Sequence, residues 1–381
     1  MKATVNTQDL QKKFSFLQHA VSSRAQLPIL LNILLEVSGK TLVLRGTDLE
    51  IGIETTVVIH GEEEGGITVP AKPFTELIAT IPDETLTLQT QENSLHVVTK
   101  RTKSVFQTTP KDEFPRLYLE KGELVATLPV SLFQEDLSCV VFAASTDTTR
   151  INLSGVLLKP QERGFLLVAT DGYRLSLKRS PVSYGTGKSG EKEAAAMKNQ
   201  IDTTLLIPAR VFREVLSLRG GSGDLSIFVT KEQNQVIFTM GDTLVVGRLI
   251  DASFPGYEKI LPTDIASTIT FDREEMLKAV KMCSIFARDA ANIIKFSLRK
   301  DKIIVSSQAA SLGENTVVVE AKLEGEENEI AFNARYVLDI LVNVTKDEVY
   351  LEMTGPLNPG VFKIQGDSSF LHLIMPIRVQ G

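Results

Sequence analysis

Three stretches of the 381-residue chain are variants of one pattern: VPAKPFTELIATI (Val69–Ile81), IPARVFREVLSLR (Ile207–Arg219) and FNARYVLDILVNV (Phe332–Val344). Each sets an apolar residue, Pro or Asn, Ala and a base ahead of an amphipathic run. An acid follows four residues after the base, as Lys72–Glu76, Arg210–Glu214 and Arg335–Asp339. The copies are spaced at close to a third of the chain, far beyond the roughly 20–50-residue period of a solenoid. A repeat of that length is a whole domain with its own core, so the sequence describes three related domains.

A second series gives the same count. Segments starting at Ala3, Ala126 and Ile269 each pair a short strand-like opening with a helical apolar stripe, such as Leu10, Phe14, Leu17 and Val21, or Met276, Val280, Cys283 and Ala287. Each domain therefore carries two amphipathic helices. Alternating β-type runs lie between and after them, including 41–44, 86–88, 165–168, 225–228 and 303–305, separated by Gly, Asn and Asp turns. Strands outnumber helices and do not alternate regularly with them, which predicts an α+β fold with antiparallel sheets. The expected domains are residues 1–124, 125–264 and 265–381, with boundaries in the turn-rich LEKGEL and LPTDIAS stretches.

The net charge of −6 and pI of about 5.5 describe an acidic protein and do not by themselves suggest a nucleic-acid binder. No run approaches the roughly 18 apolar residues that span a membrane, and MKATVNTQDL lacks the apolar core of a signal peptide, so a cytoplasmic protein is expected. Cys139 and Cys283 fall at neighbouring positions on the first helices of two domains, where each reads as a small buried packing residue. The four histidines, His19, His60, His96 and His372, show no metal-ligand spacing, so no metal and no cofactor is expected.

Catalytic motifs are equally sparse. GTGKS at Gly185–Ser189 lacks the first glycine of a phosphate loop, since Val182 stands there, and it sits in a stretch of small and charged residues that reads as a surface loop. Thr170-Asp171 recurs as Thr47-Asp48, each between two strand-like runs, which favours a turn device over a catalytic acid. Asp48 and Asp171 belong to separate domains, which argues against an acid pair and hence against an enzyme. What differs between the copies is informative: Gly172-Tyr173-Arg174-Leu175 replaces Leu49-Glu50-Ile51-Gly52.

Four separated segments carry a family resemblance: SRAQLPIL (Ser23–Leu30), ATDGYRL (Ala169–Leu175), SFPGYEKILP (Ser253–Pro262) and the terminal IMPIRVQG. Together, in order and over the whole length, they resemble the bacterial replicative sliding clamps, the β subunits of DNA polymerase III. The resemblance implies three clamp-fold domains with two inner helices and outer antiparallel sheets apiece. Two chains would join head to tail in a closed dimeric ring, the geometry in which heterologous contacts close. It places Phe106, Ile285 and Phe286 at the dimer joint; the residues alone are equally compatible with packing inside their own domains.

A ring held by topology needs only sequence-independent phosphate contacts. The resemblance puts Lys12, Lys13, Lys72, Arg210, Arg213, Lys278, Lys281 and Arg335 on inner helices facing double-stranded DNA, with Arg24 and Arg150 in loops approaching it. Solvated i to i+4 ion pairs explain Lys72, Arg210 and Arg335 as well. The first helix of the second domain departs from the pattern: residues 130–144 contain no base and include Glu135 and Asp136. Ile151 and Asn152 stand where the family often carries aromatic residues.

The resemblance also implies a cleft that takes short peptides with apolar ends from the replicative polymerase α-type subunit, the clamp loader, and other polymerases and repair proteins. Its residues map to Leu153, Thr170, Gly172, Tyr173, Arg174, Leu175, Pro255, Lys259, Ile260, Ile374, Met375, Pro376, Ile377 and Arg378. Leu153, Leu175, Ile260 and Met375 would form an apolar pocket with polar groups at its rim. Pro376 would end the last strand and free Ile377 from the sheet. Tyr173 stands where histidine is frequent in the family and Lys259 where arginine is, and Val379-Gln380-Gly381 extends past the usual leucine ending. The function implied is a DNA sliding clamp that tethers a polymerase and performs no chemistry. The competing reading is a β-rich protein scaffold that binds no DNA.

Overall fold

The computed structural model describes residues 1–22, 27–161, 164–180, 204–218, 223–230, 232 and 234–378. One order of elements occurs three times: strand, helix, four strands, helix, three strands. In the first copy β1 (Lys2–Asn6) leads into α1 (Thr7–Leu17). Then come β2 (Asn32–Ser38), β3 (Thr41–Thr47), β4 (Ile51–Glu63), β5 (Gly65–Pro70), α2 (Ala71–Thr80), β6 (Thr85–Gln91), β7 (Ser94–Val98) and β8 (Lys103–Gln107), with the two-residue β9 (Thr109–Pro110) after them. The second copy has β10 (Glu123–Pro129), α3 (Val130–Val141), β11 (Gly155–Gln161), β12 (Gly164–Thr170), β13 (Arg174–Ser180), β14 (Leu205–Pro208), α4 (Ala209–Ser217), β15 (Asp224–Thr230), β16 (Gln235–Met240) and β17 (Thr243–Arg248). The third has β18 (Ser267–Asp272), α5 (Arg273–Ala287), β19 (Ile293–Arg299), β20 (Lys302–Ala309), β21 (Gly313–Gly325), β22 (Asn328–Asn333), α6 (Ala334–Asn343), β23 (Glu348–Met353), β24 (Gly360–Ile364) and β25 (Asp367–Ile374).

Local chemistry sets several helix starts. Asn6 accepts from the amides of Gln8 and Asp9 at the head of α1, Asp272 from Glu275 at α5, and Asn333 from Arg335 at α6, each satisfying amides that the first turn leaves without partners. The predicted stripes are buried: Leu10, Phe14 and Leu17 in α1, and Met276, Val280, Cys283 and Ala287 in α5. Val21 is the exception, lying beyond the short 3₁₀ turn that follows α1. Phe14 meets Phe74 edge to face with centroids 5.4 Å apart, which ties α1 to α2.

The chain forms two compact units, Met1–Leu132 with Arg210–Leu249, and Phe133 onward with Asp202–Ala209 and Ile250–Gly381. Each unit has one antiparallel strand system that runs across an expected domain boundary. In the first, β17 pairs with β4, from Thr243 opposite Thr55 to Gly247 opposite Ile51. In the second, β25 pairs with β13, from Phe370 opposite Lys178 to Ile374 opposite Arg174. The halves of the middle repeat thus belong to different sheets, a feature that no local pattern in the sequence announces. Among the described residues no helix is long and apolar enough to cross a membrane.

Candidate functional site

The residues that break the threefold pattern converge on the end of the β13–β25 ladder. Thr170-Asp171 is a turn device, as its recurrence implied. The Thr170 hydroxyl bonds the Arg174 carbonyl (2.6 Å) and accepts from the Gly172 amide (3.0 Å), while Asp171 Oδ1 accepts from the amides of Tyr173 and Arg174. Thr47 and Asp48 make the same four bonds around Leu49, Glu50 and Ile51. Position three of the turn has positive φ in both, 76° at Leu49 and 92° at Gly172. At 172 a Cβ would also approach Arg150 Nη2 to 2.8 Å, displacing the tip of that side chain. Glycine here chiefly relieves backbone strain.

β13 alternates sharply. Leu175 and Leu177 enter an apolar cluster with Leu157, Leu166, Val168, Tyr257, Val361 and Leu373. Arg174, Ser176 and Lys178 point to the other face. Arg174, only 8% exposed, is therefore not at the rim of a cleft. It bonds Asp171 (3.0 Å), Asp339 (2.5 Å) and the Phe142 carbonyl (2.9 Å), and its guanidinium lies over the Tyr336 ring at 4.5 Å. With every side of the guanidinium engaged, it is a strut under the cleft. Thr170 is likewise buried and committed to the turn.

Of the other residues mapped to the cleft, Tyr173, Pro255, Lys259, Ile260, Met375 and Arg378 are exposed, Leu153 and Ile374 are buried and Pro376 is half-buried. The Met375 amide still bonds Tyr173 (2.8 Å), extending the ladder one step past β25. Ile377 is not free as expected, because its amide donates to the Ala331 carbonyl of β22 (2.8 Å) and pins the chain after Pro376. Arg150 donates to the Asp171 carbonyl (2.9 Å), which joins it to the turn of this cleft rather than leaving it as a loose loop base.

Beneath the ladder, Ser176 and His372 stand opposite each other and share a hydrogen bond of 2.5 Å at Nδ1. His372 is fully buried against the Phe142 ring, and among the described residues its Nε2 has no partner. Burial, with a smaller push from the Arg174 charge, holds its pKa well below 6.5. Lys178 bonds Asp367 (2.7 Å) and lies 3.5 Å from Asp136. Asp136 is buried, and burial raises its pKa against the opposing pull of Ser180 and Lys178. Cys139 lies buried nearby with its thiol pushed up to about 11 by burial, and Cys283 is buried too, as packing residues should be.

His372 makes the unit acid-sensitive. Below about pH 6.5 the unfolded chain protonates this side chain and the folded chain does not. Stability is therefore complete above about pH 6.5 and falls as pH drops, by about 1.4 kcal/mol per pH unit from this residue until its folded pKa is reached. Thermal midpoints from pH 7.5 to 5 should decline less steeply in His372→Asn than in the parent. Parallel declines would exclude His372 as the source.

The bases divide by environment. Lys12, Lys72, Arg210, Arg213, Lys278, Lys281 and Arg335 are all exposed and differ in their partners; Lys12 lies near Asp9 (3.7 Å) and Lys278 near Glu274 (3.1 Å). The expected i to i+4 pairs do not form at Arg210 or Arg335: Glu214 bonds His19 (2.8 Å), Arg210 bonds Asp48, and Asp339 bonds Arg174. Among the described residues Lys72 and Arg335 have no salt-bridge partner. Lys13 bonds Asp242 (2.5 Å). Arg24 and Gly185–Ser189 lie outside the described residues. Of the three joint residues, Ile285 is 57% exposed and Phe286 half-buried. Phe106 is half-buried, edge-on to Phe74 at 5.3 Å.

Models for the N-terminal, central and C-terminal domains of the DNA polymerase III beta subunit match residues 1–118, 127–256 and 258–378. The chain is 30% identical to the beta sliding clamp of Synechocystis sp. over the full length of both. It is 28% identical to that of Staphylococcus aureus over 94% of each. The crystal structure of the DNA polymerase sliding clamp from Bacillus subtilis superposes with a TM-score of 0.89 at 26% identity, with all of both chains covered. The DNA polymerase III beta subunit of Thermotoga maritima gives 0.88 at 25%, again with full coverage.

Proposed function

The chain belongs to the family of DNA polymerase III beta subunits, and from that premise we propose that two copies close head to tail into a ring around duplex DNA. It is a DNA sliding clamp, a processivity factor with no catalytic chemistry of its own. Its place is the cytoplasm, with the rest of the replication machinery. We infer domain limits of 1–124, 125–264 and 265–381; the family models match 1–118, 127–256 and 258–378, so the third model begins seven residues ahead of the proposed boundary.

One observation carries the ring: a strand pairing that occurs twice has its third instance left open. The first strand segment after the turn accepts the last strand of the next repeat, as β4 accepts β17 and β13 accepts β25. By the same rule β21 should accept β8, yet among the described residues β21 pairs through Gly313–Glu320 only with β20, and β8 pairs only with β7. Repeat equivalence sets Gln107 of one chain opposite Gly313 of the next, and Lys103 opposite Val317. Open edges invite such pairing. They are flanked by exposed Val105, Leu312 and Val318, together with Met282 and Ile285 on α5.

The cleft at the end of the β13–β25 ladder receives short peptides of the replicative polymerase, the clamp loader and repair proteins. Exposed Ile260 and Met375 take the apolar end, with Leu153 and Leu175 buried rather than presented at the surface, and Met375 adapts to varied partners. Tyr173, Pro255, Lys259 and Arg378 border it. A tethered polymerase rebinds its template at high effective concentration, which is processivity. The test is retention after loading by the cognate loader: the protein should stay on nicked circular DNA and slide off once the circle is linearised. Equal loss from both forms would refute encirclement and favour the protein scaffold.

A further inference from the structure

We propose that Arg210, with Lys13 and His19, forms an ionic lock across the seam between the N-terminal and central domains and does not contact phosphate. The seam is the β4–β17 ladder, and every group involved belongs to one compact unit. Arg210, from α4 in the central repeat, bonds Asp48 in the turn before β4 and the His19 carbonyl (3.1 Å) after α1. One helical turn on, Glu214 takes His19 Nδ1 at 2.8 Å. Lys13 of α1 reaches Asp242 in the turn that opens β17, at 2.5 Å. Three ties therefore run from the first repeat to the second on the helical side of one ladder.

The acceptors are built for this. Asp48 Oδ1 is already held by the amides of Glu50 and Ile51, which leaves Oδ2 aimed at Arg210. Asp48 and Glu214 are mostly covered, at 14% and 13% exposure, so moving the bases to phosphate would strand both carboxylates. The other seam repeats the device with different parts. His19 corresponds to Phe142 and Asp48 to Asp171, and both Phe142 O and Asp171 are bonded by an arginine, here Arg174 of β13. Arg174 corresponds to Ile51, not to Arg210. Two non-equivalent arginines serving equivalent acceptors indicate that the acceptors, carbonyl plus turn aspartate, define the lock. Arg335, the true counterpart of Arg210, is thereby released and exposed.

The consequence for DNA rests on the clamp reading: phosphate contact falls to Lys12, Lys72, Arg213, Lys278, Lys281 and Arg335. Hydrogen exchange on the full-length protein and duplex binding by fluorescence anisotropy across a salt series test the two halves. Arg210→Ala and Asp48→Asn should each speed exchange in Ile51–Thr55 and Thr243–Gly247 about tenfold, and the double variant no more than either alone, because coupled partners are not additive. Arg210→Lys keeps a charge for phosphate but cannot fork between Asp48 and the His19 carbonyl, so it should leave exchange fast. The slope of log affinity against log salt should be unchanged in Arg210→Ala and should fall by about one unit in Arg335→Ala. Seam exchange within twofold of the parent, or a slope lowered by about one unit in Arg210→Ala, overturns the lock. A parent protein that binds no duplex would overturn the phosphate assignment of these six bases while leaving the clamp reading to the retention test, and the exchange arm would still decide the lock.

Discussion

Ile285→Asp is expected to turn the dimer into monomers. The side chain projects at the end of α5 into solvent, 57% exposed, so its own chain neither needs it nor suffers from a charge there. Across the proposed joint it is covered. Losing a buried isoleucine removes about 1.5–3 kcal/mol, and an unpaired carboxylate in its place adds a desolvation cost. A two-chain ring contains the joint twice, so the dissociation constant should rise at least about a thousandfold. Analytical ultracentrifugation should show monomer at concentrations where the parent is dimeric, with an unchanged monomer unfolding midpoint and no retention on nicked circles. A variant that still sediments as a dimer would move the joint elsewhere.

Arg174→Ala should damage the protein from within. It removes the one cation shared by Asp171 and Asp339 and uncaps the Phe142 carbonyl, leaving two carboxylates without their partner in a covered site. Breaking a buried ion pair from one side costs about 3–5 kcal/mol. Denaturant unfolding should register that loss, and peptide affinity should fall because the turn carrying Gly172 and Tyr173 is no longer fixed. Met375→Ala is the control: at 40% exposure it should leave unfolding within about 1 kcal/mol of the parent while weakening peptide binding tenfold or more. If Arg174→Ala unfolds like the parent, the residue is a rim group after all.

The periodic features were readable in advance, and for a physical reason. Apolar stripes such as Met276 to Ala287 and turns such as Thr47-Asp48 are local, so the residues that cause them lie close together in the chain. The threefold repeat gave the helices and the recurring turn. The partners of charged side chains were not readable in this way. Arg210 and Arg335 are both exposed and have the same local sequence context, yet Arg210 bonds Asp48 while Arg335 has no salt-bridge partner among the described residues, because Arg174 on a distant strand takes Asp339. The burial of Asp136 was equally invisible, because its cation, Lys178, is also far away in sequence. The cleft residues came from the family resemblance; that Arg174 lies under the cleft and that Ile377 is pinned to Ala331 required coordinates.

The ladders that cross the repeat boundaries have a mechanical meaning. Because β17 is shared with the first repeat and β25 with the middle one, the two joints inside a chain are continuous with the sheets and cannot part without breaking backbone hydrogen bonds on a covalently tethered strand. The joint between chains would have a similar ladder but no tether, so separated edges are not held near each other. In a ring made of such chains that joint is the latch.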